Sequence, residues 1–488
     1  MDEIVGFCIS KGEPATPPWL DDYPWLNRER VRLGDWTALV WGHGTLPVTR
    51  NGFVAGKRGN RCAEVTVDER LTVSRDYLGQ LPVYYGGDTV STCEECVLLD
   101  IGQATLNVDY LPLFLQIGAS VGPHTLWNEV GQLFGNCEPV PGVVSRWMDP
   151  PQPEEAEWEE AIRGAVNRSV QGKTHLAVTS GYDSRLLALY MDPQDTIGWT
   201  LPLSPSMRDG EYVWAKRTAE ILGMEHRAVI IQDFPAWLEK SVEYMGANTS
   251  QIMAMWFAMI GEINREERRP VVHGGPGDSL SGNPVRRTLE VVEPMDGADQ
   301  QGLALIRDRG AGWEDDELDR LLTYDWQDRG LGRHFLDTPG PDFAAKADLF
   351  RVRTRSAALA TGRMNVGELW GGAICPYADT EYAVWALNLG VEKRIDRNSQ
   401  VEWATHAYPA IFNRPSPLQD DDYTAENSID EELACDPWPL MGTQFNELFN
   451  QAYIDALVER ALDRDMWAIR RAWPLQAIAW AFMRGYVK

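Results

Sequence analysis

Short apolar runs separated by turn-forming residues characterise the chain from residue 1 to about residue 148. Runs of this length, bounded by Gly, Asn, Asp and Pro, are typical of β-strands. The pattern predicts an antiparallel β sandwich, with strands at Ile4–Ile9, Thr37–Trp41, Gly52–Ala55, Leu71–Ser74, Leu81–Tyr85 and Val97–Leu99.

A proline-rich segment then interrupts the pattern. It reads Asp149-Pro150-Pro151-Gln152-Pro153-Glu154, and three prolines this close together exclude regular structure. We therefore expect two domains, covering residues 1–148 and 155–488.

Helices and strands alternate after this boundary. Apolar residues at helical spacing from Trp158 to Val166 predict a first helix. Strands are predicted at 175–178, 196–201 and 227–231, helices at 184–191 and 210–222, and a mostly helical extension beyond residue 300. Such alternation predicts a parallel sheet that binds ligands at the carboxyl ends of its strands. The predicted fold class is α/β and α+β.

The strand 175–178 runs into a loop of small polar residues, Thr179-Ser180-Gly181-Tyr182-Asp183-Ser184. Its backbone N–H groups and the start of the following helix suit a phosphate group. Asp183 could hold Mg²⁺ beside the phosphates, because this ion prefers carboxylate and phosphate oxygens. The alternative is an ordinary capped turn between a strand and a helix.

A second loop of the same kind follows the predicted strand 270–273. It runs from Gly274 to Gly282 and contains one carboxylate, Asp278. If the two strands are neighbours, Asp183 and Asp278 face the same cation. A simple glycine turn is the alternative.

Charge and composition narrow the range of partners. A formal net charge of -27 over 488 residues argues against a nucleic-acid polymer, which is bound through excess Lys and Arg. The absence of a long apolar run and of a signal-like start leads us to expect no membrane contact and a cytoplasmic location. A homodimer is compatible with the sequence.

Seven cysteines, an odd number, fit a reducing compartment better than a disulfide framework. The one CxxC pair, Cys93 and Cys96, has no second pair beside it. We interpret it as a strand edge in preference to a metal site.

Two sets of residues resemble the glutamine-dependent asparagine synthetases and their relatives. In the first half, the stretch Ser74–Tyr85 contains Arg-Asp, then Gly, then Pro before paired tyrosines. In the second half, the loop 179–184 stands where the family has Ser-Gly-Gly-x-Asp-Ser, and the loop around Asp278 resembles the family's later Gly-Ala-Asp-Glu loop. The resemblance implies a first domain like the N-terminal-nucleophile hydrolases and an ATP-pyrophosphatase second domain.

The resemblance also implies a chemistry that depends on ATP and Mg²⁺, in which a carboxylate is adenylated and then converted to an amide. It implies Asp183 and Asp278 as metal ligands and catalytic residues, and Glu368 as a further catalytic candidate. Arg414 stands near the place of a family lysine that contacts phosphates, with Lys393, Arg394 and Arg397 as alternatives. The implied nucleotide-binding residues are Thr179, Ser180, Gly181, Tyr182, Asp183, Ser184, Gly275 and Gly277.

The chain departs from the family at position 2, where the glutaminase cysteine is replaced by Asp2. We therefore expect an inactive first domain, as in β-lactam synthetases and lasso-peptide cyclases, and a ligase or cyclase acting on a small-molecule or peptide carboxylate. Two alternatives stay open. The protein could be a degenerate binding or scaffold protein, or an enzyme that adenylates a nucleoside or a protein side chain.

Overall fold

The computed structural model describes residues 2–56, 60–202, 207, 210–231, 234–245, 251–307, 313–327, 330–360, 366–413 and 448–462, and the single positions 471, 475 and 478. Within these ranges the protein is a mixed α/β structure with two sheets, one of eleven strands and one of five. Residues 148–157, which include the three prolines, have no regular structure.

The large sheet is built from the first part of the chain. Its strands are β1 (Glu3–Ser10), β2 (Asn27–Leu33), β3 (Trp36–His43), β4 (Gly52–Gly56), β5 (Cys62–Val67), β6 (Leu71–Arg75), β7 (Tyr84–Gly86), β8 (Thr89–Ser91), β9 (Gly131–Gln132), β10 (Cys137–Val140) and β11 (Val143–Trp147). Most pairs are antiparallel, as predicted, but β1 pairs with β4 and β6 pairs with β11 in parallel. The sheet is therefore mixed and not purely antiparallel.

Strand β1 is the point at which the large sheet divides. One edge of β1 pairs with β3 along its whole length. On the other edge, Ile4 pairs with Ala55 of β4, whereas residues 8–10 pair with β8. Two branches, β4-β5-β6-β11-β10 and β8-β7-β9, therefore leave the same strand, and β1 is buried from Ile4 to Ser10.

The predicted strand at Val97–Leu99 is wrong, because these residues lie in the helix Glu94–Ile101. A short buried apolar run fits a helix as well as a strand. The acidic Glu94 and Glu95 in the first turn interact favourably with the helix N-terminus. Cys93 and Cys96 thus belong to a helix start and not to a strand edge.

The second sheet contains β12 (Thr174–Ala177), β13 (Thr196–Thr200), β14 (Glu225–Ala228), β15 (Val271–Val272) and β16 (Ala373–Ile374). All its pairs are parallel, and its order is β14-β13-β12-β15-β16. Along the chain, β13 and β14 are added on one side of β12, and β15 and β16 then follow on its other side. The order of strands therefore reverses between β12 and β15, and such a switch point is the usual ligand crevice of an open parallel sheet.

The helices surround both sheets. Those described are Glu94–Ile101, Leu111–Ile117, Trp158–Ser169, Tyr182–Ala188, Gly210–Leu222, Phe234–Met245, Gln251–Ile263, Gly277–Leu280, Val285–Arg287, Ala298–Arg307, Asp315–Leu321, Gly332–Leu336, Phe343–Arg351, Thr380–Asn388, Val391–Arg394, Asn398–Ala407, Pro409–Phe412 and Gln451–Leu462. Short 3₁₀ turns lie at Pro18–Asp22, Val366–Leu369, Pro376–Ala378 and Ile395–Arg397, and π-helical turns at Thr288–Val292 and Val352–Ala360. No helix in these ranges combines the length and the apolar character needed to cross a bilayer.

The apolar core links the two halves of the chain. One cluster contains Trp41 and Leu115 from the first half together with Phe257 and Trp370 from the second. Two further clusters lie within the large sheet and around the parallel sheet. The two sheets are therefore joined through a shared core as well as through the irregular segment 148–157.

A buried network of charges lies beside the parallel sheet. Asp348 pairs through Oδ1 with Arg351 Nη1 at 2.7 Å and through Oδ2 with Arg394. The side chains of Asp348 and Arg394 are completely buried. Burial raises the pKa of Asp348 to about 6, although both guanidinium groups oppose this shift.

We expect Asp348→Ala to destabilise the protein by about 3–5 kcal/mol, because it leaves two guanidinium groups buried without their shared carboxylate. Urea denaturation followed by circular dichroism measures this loss. Asp316→Ala is the control, since Asp316 forms an equally short pair with Arg320 at 2.7 Å but both side chains are more than 60% exposed. Equal effects of the two substitutions would contradict the importance that we give to the buried network.

Candidate functional site

The two loops singled out in the sequence meet at the switch point of the parallel sheet. Strands β12 and β15 are neighbours, with His175 opposite Val271 and Leu176 opposite Val272. The first loop follows β12 and the second follows β15, so both leave the same edge of the sheet. Gly274 and Gly277 of the second loop lie directly against the side chain of Asp183 in the first.

Asp183 is the centre of this arrangement. Its carboxylate is contacted by Arg397, with Nη1 at 3.1 Å from Oδ1 and at 3.3 Å from Oδ2, and Nη2 at 3.3 Å from Oδ2. Its backbone oxygen accepts a hydrogen bond of 3.0 Å from the Tyr377 hydroxyl group. Because Tyr377 follows β16, three neighbouring strand ends contribute to the surroundings of one residue.

Electrostatic forces on Asp183 oppose one another. Burial is the largest effect and raises the pKa of Asp183 to about 6, Arg397 lowers it, and the negative charge of Asp278 raises it. The side chain keeps 20% of its surface exposed. The carboxyl group therefore changes its protonation state close to neutral pH.

Arg397 reaches Asp183 from an unusual backbone conformation. Asp396 and Arg397 have φ angles of 52° and 57°, a left-handed conformation that costs non-glycine residues of the order of 1–3 kcal/mol each. The Asp396 carboxylate accepts a hydrogen bond of 2.6 Å from Arg286 Nε, which helps to hold the turn. The surrounding contacts thus fix a strained turn that presents a cation to the first loop.

The hydroxyl groups of the first loop are used within the protein. The Ser184 hydroxyl accepts a 3.0 Å hydrogen bond from the Thr179 N–H and lies 2.9 Å from Thr179 Oγ1. The Gly181 N–H donates to Thr179 Oγ1 at 3.1 Å. Ser180 donates its hydroxyl proton to the carboxylate of Glu211. Two of the N–H groups that the sequence suggested for a phosphate are therefore already bonded.

Tyr182 packs against side chains from other parts of the chain. Its ring stacks on Phe412, with centroids 5.2 Å apart, and Arg185 lies 5.0 Å from the centres of both rings. Arg185 Nη1 also donates to the Ile411 oxygen at 2.8 Å. These contacts tie the first loop to the residues just before Arg414, which lies outside the described residues.

Glu368 lies apart from the loops in the sheet topology, because it precedes β16 whereas Asp183 and Asp278 follow β12 and β15. Its Oε1 pairs with Arg61 Nη1 at 2.8 Å, with both side chains at most 5% exposed. The structure therefore places this candidate against the first half of the chain.

A set of three or more His, Cys, Asp or Glu side chains suited to a metal is not found among the described residues. Asp278 is exposed, and its Oδ1 accepts a 2.8 Å hydrogen bond from the Ser279 N–H. His226 lies with Nε2 2.9 Å from Thr200 Oγ1. Burial lowers the pKa of His226 to about 4, which fits a neutral side chain between strands.

The chain as a whole was compared with known proteins. No protein-family model matches the chain, and no curated protein matches it. The function must therefore be argued from the switch-point site and from the residues that carry the resemblance.

Two residues at the site were not proposed as site residues from the sequence. They are Tyr377 and Gly274, of which Gly274 was noted only as the start of the second loop. The rule that parallel strands present their functional groups at their carboxyl ends would have pointed to both, since each follows a strand of the sheet. Arg397 was considered only as a substitute for a missing lysine.

We expect Gly277→Ala to disturb this site. A Cβ atom there would lie 2.8 Å from the Tyr377 ring and 3.0 Å from Asp183 Cγ, so the substitution should destabilise the protein by about 1–3 kcal/mol. Gly12→Ala is the control, because its Cβ atom would find nothing closer than 3.9 Å. Thermal unfolding of both variants measures the difference, and an unchanged Gly277→Ala protein would show that the two loops are not closely packed.

Proposed function

We propose that the chain is an ATP-dependent ligase that adenylates a carboxylate and forms an amide from it without hydrolysing glutamine. The observation that supports this most is the meeting of two loops at a switch point, each with one carboxylate, Asp183 and Asp278. An open parallel sheet binds nucleotides in such a crevice. The resemblance of both loops to those of the asparagine synthetase family indicates that the nucleotide is ATP.

In this reaction the substrate carboxylate oxygen forms a bond to the α-phosphorus of ATP, and the bond from that phosphorus to pyrophosphate breaks. The amine nitrogen then forms a bond to the carbonyl carbon, AMP leaves with its oxygen, and the nitrogen loses a proton. The substrate is a small molecule or a peptide. The residues of the site would orient the phosphates and balance their charge.

Both carboxylates are of the ligand type that Mg²⁺ prefers, because this ion is commonly held by one or two carboxylates together with substrate phosphates. Asp183 and Asp278 would hold it, and Mg²⁺ would supply charge stabilisation for the leaving pyrophosphate. The Asp183 carboxylate must then either bind Mg²⁺ while it keeps its contact with Arg397, or give up that contact in favour of Mg²⁺. An Arg397 released from Asp183 is a guanidinium group placed to bind phosphate.

The same ion pair supports a second candidate function. If Arg397 stays on Asp183, the carboxylate already has its counter-charge, and the protein would be a degenerate synthetase-fold binding or scaffold protein. This candidate differs in a measurable way. It predicts no pyrophosphate release, and any nucleotide binding should not depend on Mg²⁺.

For the first half of the chain we propose an inactive glutaminase-like domain of residues 1–148, followed by a synthetase-like domain of residues 155–488. The resemblance calls for a cysteine where Asp2 stands. Asp2 Oδ1 instead accepts a hydrogen bond of 3.0 Å from the Thr45 N–H, which is a structural role. A carboxylate in this position offers no thiolate nucleophile.

The test of the ligase is direct. We expect calorimetry to show ATP binding that requires Mg²⁺, and we expect AMP and pyrophosphate when a suitable carboxylate is added from a panel of amino acids and peptides. Asp183→Asn and Asp278→Asn should each reduce pyrophosphate release by at least about a hundredfold, because each removes one negative ligand from the phosphate site.

Asp68→Asn provides the matched control, since it removes a carboxylate from an exposed turn of the large sheet. Circular dichroism should show the same fold for all three variants. Undiminished pyrophosphate release in both loop variants would mean that the site is elsewhere. Mg²⁺-independent ATP binding without any turnover would favour the scaffold.

The raised pKa of Asp183 gives a pH dependence. Only the deprotonated carboxylate is a good ligand for a cation, and its pKa of about 6 lies above the usual range. Affinity for ATP with Mg²⁺ should therefore fall as the pH drops through 6, by up to about tenfold for each further pH unit. Calorimetry between pH 5 and pH 8 measures this fall, which should disappear in Asp183→Asn; a wild-type affinity that stays constant would contradict the role of Asp183.

A further inference from the structure

A cavity lies where the large sheet meets the second half of the chain. It is lined from the first half by residues such as Trp19, Trp41 and Arg61, and from the second half by Tyr244, Ala358 and Glu368. The space open to the centre of a water-sized sphere is about 80 Å³. That is enough for about five to eight water molecules or for an organic molecule with a similar number of heavy atoms.

Aromatic rings form much of the cavity wall. The ring of Trp19 packs edge-on against Trp41, with centroids 6.0 Å apart, and against Tyr244 at 4.8 Å. Trp41 can lie flat on β1 only because residue 6 is glycine, where a Cβ atom would come within 2.4 Å of the ring. The faces of such rings attract cations.

One charged group of the cavity, the Glu368 carboxylate, is only partly hydrogen-bonded. The lining contains two carboxylates, Glu94 and Glu368, and one guanidinium group, Arg61. Arg61 binds Glu368 Oε1 at 2.8 Å, but the buried Glu368 Oε2 has no hydrogen-bond partner within the described part of the chain. Burial raises the pKa of Glu368 to about 8, and both Arg61 and a hydrogen bond from the Ala373 backbone N–H oppose this shift.

We propose that this cavity binds a small primary amine in its ammonium form, with the ammonium group at Glu368 Oε2 and the carbon chain against Trp19, Trp41 and Tyr244. An ammonium group supplies both a positive charge and N–H donors. It would therefore satisfy an oxygen whose burial without a partner is unfavourable. The aromatic faces then contact the methylene groups and the cation.

Other small ligands suit the cavity less well. An anion would lie against Glu94 and Glu368 and would compete with Glu368 for Arg61. A neutral alcohol could donate one hydrogen bond to Oε2 but would bring no positive charge to the carboxylate. The inference does not depend on the proposed ATP site, because Glu368, Arg61 and the aromatic rings lie outside both loops.

The test uses the full chain without nucleotide. We expect n-butylamine to bind saturably in calorimetry or in ligand-observed NMR, at least about tenfold more tightly than n-butanol or butyrate, which match it in size but not in charge. Failure of ATP to bind would leave this result unaffected. Butylamine binding no tighter than that of butanol would overturn the proposal.

Variants distinguish binding in the cavity from a general attraction of cations to this acidic protein. Glu368→Gln keeps the size of the side chain and should weaken butylamine binding by about tenfold or more. Ala358→Leu fills part of the cavity and should abolish binding. Ala156→Leu is its control, because Ala156 is also half-buried but does not line the cavity. If Glu368→Gln fails to fold, the two alanine variants decide, and full binding by Ala358→Leu would overturn the proposal.

Discussion

The ion pair between Asp183 and Arg397 joins the parts of the chain that form the candidate site. A carboxylate enclosed by two loops is costly to bury unless a positive group accompanies it. Arg397 supplies that charge from 214 residues further along the chain, and the turn that carries it is strained at two successive residues. The strain is tolerated because the pair, the Arg286 contact to Asp396 and the buried Arg394 beside the turn all require the same backbone path.

Much of the fold follows from local patterns. Alternating strands and helices predicted the parallel sheet, and the helix Gly210–Leu222 was predicted with the observed bounds. Strand β2 was missed because it lies at the edge, with four exposed residues at its start, and charged residues on an edge strand hide the apolar alternation that identifies strands. The parallel pairing of β6 with β11 could not be predicted either, since no local pattern specifies which distant strands pair.

The residues of the site that are marked by their local sequence could be predicted. Asp183 and Asp278 stand out because each follows a short apolar run and a glycine, and strand order alone decides whether the two loops meet. Arg397 has no such signal in the sequence. It is one arginine in a charged segment, and only the folded turn brings it to Asp183. The use of Ser180 also depends on tertiary structure, because its hydroxyl group bonds to Glu211 on the next helix.

Three carboxylates, two of them buried and Asp183 partly buried, show how differently such a charge can be accommodated. Asp348 has a guanidinium group on each oxygen, and Asp183 has both oxygens near Arg397. Glu368 has a guanidinium group on one oxygen only. In a packed core the other oxygen would be a lasting cost, because nothing could move in to satisfy it. Beside a cavity the same oxygen can bond to whatever enters, which is why we propose a binding role for Glu368 in addition to its buried pair with Arg61.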